Sequence, residues 1–295
     1  MKTLFLINAR SGTKRGYDVA DLIRKGCSDW SSPYDVAPCE RKEDLDDVIA
    51  AAIANGVEVI YAVGGDGTVH EVGKRLIGKS AALGILPTGS GNGLARHIGL
   101  PMDPLKSLRA CGRKRIATID TVEVNGMPFL GVMGVGFDAI VADRFATAGA
   151  RGLKTYIRVG LRAFRDYESE AYELMLDGRR IDARAFVIAI ANSSQYGNDA
   201  RIAPLASLQD GLVDIVIVED ASIFSAPFLL ARLFRGTLAG AHGVKMLQGA
   251  QLHMRRPAAG PAHLDGEPVT LPAELQVKIN AMSLKVLLPD VERKI

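Results

Sequence analysis

The chain has 295 residues, enough for one large domain or two ordinary ones, and its 48% hydrophobic and 23% charged content is that of a globular protein and not of a disordered tail. A formal charge of +3 is too small to argue for a nucleic-acid partner from bulk electrostatics. Cys27, Cys39 and Cys111 are odd in number and lack ligand spacing, which excludes a disulfide framework and a zinc site and predicts a cytoplasmic location.

The opening "MKTLFLINARSG" is interrupted by "NARSG" before a secretory apolar region could form, and no run approaches the ~18 apolar residues of a membrane span. Short apolar runs then alternate with helix-like segments. "TLFLI" precedes a predicted helix over 17–27, "YDVAPC" one over 45–55, "VEVIYAV" one over 68–77, and "ALGIL" one over 92–98. This alternation predicts a parallel sheet covered on both faces. From about residue 116 the runs become short, β-rich and separated by Gly, Asn-Gly and Asp-Gly turns: "ATIDTVEVNG", "YELMLDGRRIDA", "AFVIAIANSS", "LVDIVIV", "AQLHMRR", "ELQVKIN" and "LKVLLP". They predict an antiparallel sandwich with helical insertions over 153–165 and 223–238. The expected domains are 1–118 and 119–295, packed together around a cleft.

Three strand-to-helix junctions are rich in small residues: "LINARSG", "AVGGDGT" and "ILPTGSGNGLA". In a parallel sheet all three leave the carboxyl edge, where open α/β folds bind ligands. Gly64, Gly65 and Gly67 would let backbone amides approach a phosphate, and Ser90, Gly91 and Asn92 repeat the device. For any one loop, turn chemistry alone explains the glycines. Asp66 sits among them, and a carboxylate beside a phosphate calls for a metal ion or a proton to mediate. No "GK[ST]" follows at P-loop spacing, and "GGDGT" lacks the dinucleotide fingerprint.

Taken together, "NARSG", "GGDGTVHEV", "LPTGSGNGLARHIGLP", "GFDAIV", "ANSSQYGNDARIAPLASLQDGLVDIVIV" and "HLDGEP" resemble the diacylglycerol kinase catalytic-domain family, in particular soluble bacterial lipid kinases related to sphingosine and ceramide kinases. The resemblance implies an α/β, NAD kinase-like N-terminal domain with a parallel sheet and a C-terminal antiparallel β-sandwich. It implies transfer of the γ-phosphoryl of ATP to a lipid hydroxyl with Mg2+. Carried across by position, the nucleotide would contact Asn8, Ala9, Arg10, Ser11, Gly12, Cys39, Gly64, Gly65, Asp66, Gly67, Thr68, Val69, His70, Ser90, Gly91 and Asn92. Glu267 would be the proton acceptor, with Asp66 as metal or water organiser, although some relatives give the base role to the acid of "GGDG". Ser207, Asp210 and Leu212 match a second, structural metal position, and Asp138 would face the lipid headgroup or else cap the following helix.

Three departures qualify the match: Cys39 stands where the family often has Thr, His70 where Asn is usual, and Gly93 where the diacylglycerol branch has Asp. The last points toward a sphingoid or ceramide-like acceptor. Two other readings stay open, a kinase of a soluble acceptor such as NAD and a non-catalytic lipid or nucleotide binder.

A lipid substrate implies work at a membrane surface, with peripheral association of a cytoplasmic protein; a homodimer stays open. In "RGLKTYIRVGLRAFRDY", Leu153, Tyr156, Ile157, Gly160, Leu161 and Phe164 fall on one helical face, and Lys154, Arg158, Arg162 and Arg165 on the other. Such a helix lies in an anionic interface or packs its stripe into the core. "SIFSAPFLLARLFRG" carries only Arg232 and Arg235 and is expected to be buried between domains or to line an acyl-chain pocket. His97, His242, His253 and His263 show no ligand spacing and are expected at the surface or in packing. Asp120 is a weaker candidate acid.

Overall fold

The computed structural model describes residues 1–8, 18–39, 41–112, 115–147, 153–164, 167–222 and 225–290. It forms two compact units, one of Met1–Ile119 joined by the chain from Met282 onward, the other of Asp120–Ala281.

The first unit contains β1 (Thr3–Asn8), α1 (Val19–Gly26), β2 (Tyr34–Cys39), α2 (Leu45–Ala54), β3 (Val59–Gly64), α3 (Asp66–Leu76), β4 (Ala82–Pro87), α4 (Gly93–His97) and α5 (Pro104–Ala110). Its strands run parallel in the order β2-β1-β3-β4. Every residue of β3 and β4 is buried, as in a sheet with helices on both faces. Phe5 stacks on Tyr61 at 4.6 Å between ring centroids and also meets Trp30 and Tyr34, so an aromatic cluster joins this core. Helix α5 was not expected, although Asp103 caps it by accepting from the Lys106 amide (2.8 Å) and Pro104 opens it.

Strand β5 (Arg115–Val124) leads into the second unit, which holds β6 (Met127–Phe129), β7 (Val132–Gly136), α6 (Phe137–Thr147), α7 (Leu153–Phe164), β8 (Glu170–Leu176), β9 (Arg179–Ala185), β10 (Val187–Ala191), β11 (Val213–Val218), α8 (Ala226–Arg235), β12 (Val244–Gly249), β13 (Gln251–Arg255), β14 (Gly260–Leu264) and β15 (Glu267–Leu271). One antiparallel sheet has the order β12-β11-β10-β7-β14-β15. The other sets β13 between β8 and the first half of β16 (Glu274–Leu288), with β9 beyond β8. Tyr172, Leu174, Met254 and Val277 from this sheet pack with Val135, Ile188, Ile190 and Ile215 from the first in a single core, which makes the sandwich.

Two differences from the sequence reading follow from the ends of elements. "ELQVKIN" and "LKVLLP" are one strand, β16, in which Met282 adopts φ +47° and the strand's far end lies parallel to β4 at Val286 and Leu83. Residues from 282 on therefore belong to the first unit, although they were expected in the second domain. The segment expected to be buried forms α8, of which no residue is buried; Leu229 and Leu233 alone pack partly against the outer core of the six-stranded sheet.

Candidate active site

In the first unit, β1, β3 and β4 are parallel neighbours, so the strand ends that precede the three small-residue junctions, Asn8, Gly64 and Pro87, lie at one sheet edge. The Gly64 carbonyl accepts from both the Thr88 amide (3.0 Å) and the Gly89 amide (3.2 Å), tying the third junction to the second. The two glycine loops lie backbone on backbone. A Cβ on Gly89 would sit 2.4 Å from the Gly65 Cα, and one on Gly91 would sit 2.3 Å from Asp66 Oδ2. Side chains are excluded there by contact with backbone and carboxylate, not by turn geometry alone.

Asp66 opens α3, and its carboxylate reaches across to the next loop. Oδ2 accepts from the Asn92 amide (2.8 Å) and Oδ1 from the Gly93 amide (2.7 Å). Asn92 is left-handed (φ 56°, ψ 50°), and its Nδ2 donates to the Gly89 carbonyl (3.0 Å). At the end of β1, Asn8 Nδ2 donates to Thr68 Oγ1 (3.0 Å), and Cys39 pairs in register with Asn8. Thr68, Val69 and His70 are buried in the first turns of α3, Ser90 is exposed, and Gly65, Asp66, Gly67 and Gly91 are half-buried. The structure thus gathers Asn8, Cys39, Gly64 to His70 and Ser90 to Asn92 at one edge. Ala9, Arg10, Ser11 and Gly12 lie outside the described residues, as does Arg165.

Just behind this edge, Glu71 is bound by Lys42 (3.1 Å), Lys74 (2.9 Å) and Arg75 (2.6 Å). Burial pushes its carboxyl up, but hydrogen bonds from Lys74, Arg75 and Lys42 outweigh that and hold it at about 2.

In the second unit, Glu267 is the first residue of β15 and is half-buried. The turn before it is fixed twice. Asp265, itself left-handed at φ 52°, accepts from the amides of Leu130 (2.9 Å), Gly131 (2.7 Å) and Val132 (3.1 Å). The Gly266 amide donates to His263 Nδ1 (3.4 Å), which leaves Nε2 as the protonated nitrogen facing Asp138 Oδ2 at 3.3 Å. Tyr196 donates its hydroxyl to the same oxygen at 2.8 Å. Asp138 and His263 are both buried, and Gly134 below them has no room for a Cβ, which would lie 2.1 Å from Asp138 Oδ2. Asp138 stands in the first turn of α6 with its Oδ1 accepting from the Ala139 amide (2.8 Å). His263 is therefore a hydrogen-bonded member of this cluster as well as a packing residue.

The expected second metal segment is a turn in which Leu212 donates its amide to Asp210 Oδ1 (3.1 Å) and Gln209 its amide to Ser207 Oγ (3.3 Å). Asp120 joins it by accepting from the Gly211 amide (2.9 Å), while Asn192 Nδ2 holds the carbonyls of Asp120 (3.0 Å) and Leu130 (2.8 Å). Sequence reasoning overlooked Asp265, Tyr196 and Asn192. An Asp-Gly turn after a strand was the one local signal for Asp265; the others are set by partners far along the chain.

Among the described residues no three His, Cys, Asp or Glu side chains gather as a metal cage. A magnesium ion carried on nucleotide phosphates needs only one or two carboxylates and keeps several waters. The first unit fits that demand. Asp66 lies in the glycine cradle, and Asn92 Oδ1, buried there without a hydrogen-bond partner, can accept from an ion's water.

Residues 2–124 match the diacylglycerol kinase catalytic domain, and residues 131–287 match the YegS C-terminal NAD kinase beta sandwich-like domain. The chain is 30% identical to a diacylglycerol kinase of Mycobacterium tuberculosis over 83% of this chain and 82% of that one. It is 29% identical to a YegS-like lipid kinase of Pseudomonas aeruginosa over 82% and 80%. Its fold is similar to the crystal structure of a diacylglycerol kinase from Bacillus anthracis, with TM-score 0.75 at 17% identity over 98% and 97% of the two chains. It is also similar in fold to an NAD kinase from Archaeoglobus fulgidus solved in complex with ATP, with TM-score 0.55 at 12% identity over 98% and 94%. The chain belongs to the diacylglycerol kinase family of lipid kinases, with that family's catalytic domain followed by a YegS-type C-terminal domain.

Proposed function

We propose that the protein transfers the γ-phosphoryl group of ATP to the hydroxyl of a lipid of the diacylglycerol, sphingoid or ceramide type. The observation that carries this reading is the close pairing of the Gly65 and Gly89 loops across Asp66, which leaves a bare backbone at the N-terminus of α3 for a phosphate chain. Phosphoryl transfer asks for positioning and charge neutralisation more than covalent chemistry, so such a cradle with few ionised groups suffices. The acceptor oxygen bonds to the γ-phosphorus as the bond to the bridging oxygen breaks; ADP departs and the hydroxyl proton passes to Glu267. Magnesium, held through Asp66 and its water at Asn92, would neutralise phosphate charge. Tethering by Asp265 and His263 keeps Glu267 at a fixed place in its hairpin, as a base requires.

The test is incubation with labelled ATP, magnesium and mixed micelles of diacylglycerol, monoacylglycerol, sphingosine or ceramide, with NAD as a soluble alternative. Label on a lipid is the expected result; label on NAD alone overturns the lipid reading. Glu267→Gln should abolish turnover while nucleotide affinity stays within about twofold, and full activity in that variant removes the base assignment.

A further inference from the structure

Helix α8 breaks a rule that the rest of the fold keeps. Eight of its ten residues are apolar, and a helix apolar on all sides is ordinarily buried, yet none of α8 is. Leu229 and Leu233 face the core. Opposite them, Pro227, Leu230, Ala231 and Phe234 recur at i, i+3, i+4 and i+7, with Leu230 40% and Phe228 57% exposed. Next to the helix's end lies a loop whose Arg201 amide donates to the Leu233 carbonyl (3.0 Å), and that loop holds Leu205 at 84% exposure.

The helix itself carries charge of one sign. Between Ala226 and Arg235 there is no Asp or Glu, and its two charged residues are Arg232 and Arg235, with exposed Arg201 in the adjoining loop. Arg232 lies 5.3 Å over the Phe228 ring and donates to the Thr237 carbonyl (2.9 Å), while Gly236 closes the helix in a left-handed cap. Exposed apolar groups therefore stand beside a cation held in place, Arg232, with exposed Arg235 one turn on.

We propose that α8 is the docking helix of this protein for an anionic lipid surface, with Phe228, Leu230 and Leu205 entering the acyl boundary and Arg232, Arg235 and Arg201 meeting the headgroups. The choice of occupant rests on the lipid-kinase reading and on charge. A second copy of the chain seated helix to helix on the same face would set Arg232 and Arg235 of one α8 against those of the other, with no acid on the helix to receive them. An anionic bilayer supplies both the apolar layer and the countercharge. Helix α7, which the sequence left open between an anionic interface and the core, shows less of this character among its described side chains. Ala163 is buried and Phe164 packs on Phe137 and Phe186, while Arg158 and Arg162 are exposed.

The test is co-sedimentation of the full chain, without ATP, on phosphatidylglycerol-rich vesicles against phosphatidylcholine vesicles. Wild type should partition to the anionic vesicles and less so at high salt. Phe228→Ser with Leu230→Ser, and separately Arg235→Glu, should each lower that partition about tenfold with no loss of melting temperature; Arg158→Glu with Arg162→Glu should leave it within about twofold. The proposal is overturned if wild type ignores anionic vesicles or the α8 variants bind as wild type does. It is equally overturned if the α7 pair removes binding, or if the α8 pair instead converts a dimer to a monomer in sedimentation velocity. Turnover of a dispersed short-chain lipid is scored separately, so a failed kinase reading and a failed docking surface give different results.

Discussion

Replacing Asp66 by Asn separates two roles that the residue combines. Its two oxygens accept from the Asn92 and Gly93 amides at 2.8 and 2.7 Å, bonds of the charge-assisted kind worth about 1.5–3 kcal/mol each. Asn keeps one acceptor oxygen but turns an NH2 toward the other amide, so one bond is lost and two donors are opposed. The expected cost is about 2–4 kcal/mol, borne by the junction of the β3 and β4 loops. In a unit of this size that lowers the melting temperature by roughly 5–10 °C. Thermal unfolding by circular dichroism, run without nucleotide, reads the brace directly; turnover on the lipid panel reads the chemistry. A variant that is inactive yet melts within a degree of wild type would show that the inter-loop bonds contribute nothing, and would refute the reasoning.

Three further expectations concern the same elements. Glu71→Gln should cost about 3 kcal/mol at pH 7, because the wild-type carboxyl lies at about 2 when folded and about 4.5 unfolded; the contribution is fully present above the latter value and is lost as pH falls through the former, so the gap between wild type and variant in urea melts should shrink to about 1 kcal/mol at pH 2.5, and a gap that does not shrink would refute the assignment. In Gly134→Ala the new methyl meets Asp138 Oδ2 and His263 Nε2, and the loss of about 2–3 kcal/mol should exceed the ~1 kcal/mol expected for Tyr196→Phe; equal stability of all three proteins in urea would mean that the cluster is loosely packed. Asp265→Ala removes the acceptor of three amides, and hydrogen exchange should speed up at Leu130, Gly131 and Val132 by at least a hundredfold; unchanged protection would dismiss the tether.

What could be read from the sequence was whatever depends on neighbours in the chain. Strands β1, β3 and β4 announce themselves because burial on both faces demands continuous apolar runs, and the small-residue junctions at their ends place the cradle. Helix α6 was harder, since "FDAIVADRFAT" mixes apolar and charged residues without a clear stripe. Strand β16 looked like two because "NAMS" interrupts its pattern, and the left-handed Met282 that bridges the gap has no sequence signature. In the site, chemistry was legible and partnership was not. Asp66 was singled out, but the amides it holds come from a loop 26 residues on, next to it only because β3 and β4 pair. Asp138 and His263 are 125 residues apart and meet only after β7 and β14 have paired.

The return of the chain to its first unit through β16 fixes an order of assembly. The free side of β4 is filled by a strand translated after the whole Asp120–Ala281 sandwich, with the Ser283 carbonyl receiving the Gly78 amide (2.7 Å) and Lys285 reaching the Ser80 carbonyl (3.3 Å). During synthesis the sheet of the first unit therefore waits with one flank bare, an edge of unpaired amides and carbonyls of the kind that invites pairing with another chain. Truncation before Met282 would leave that edge bare for good, so the end of β16 closes a strand edge as well as completing a fold.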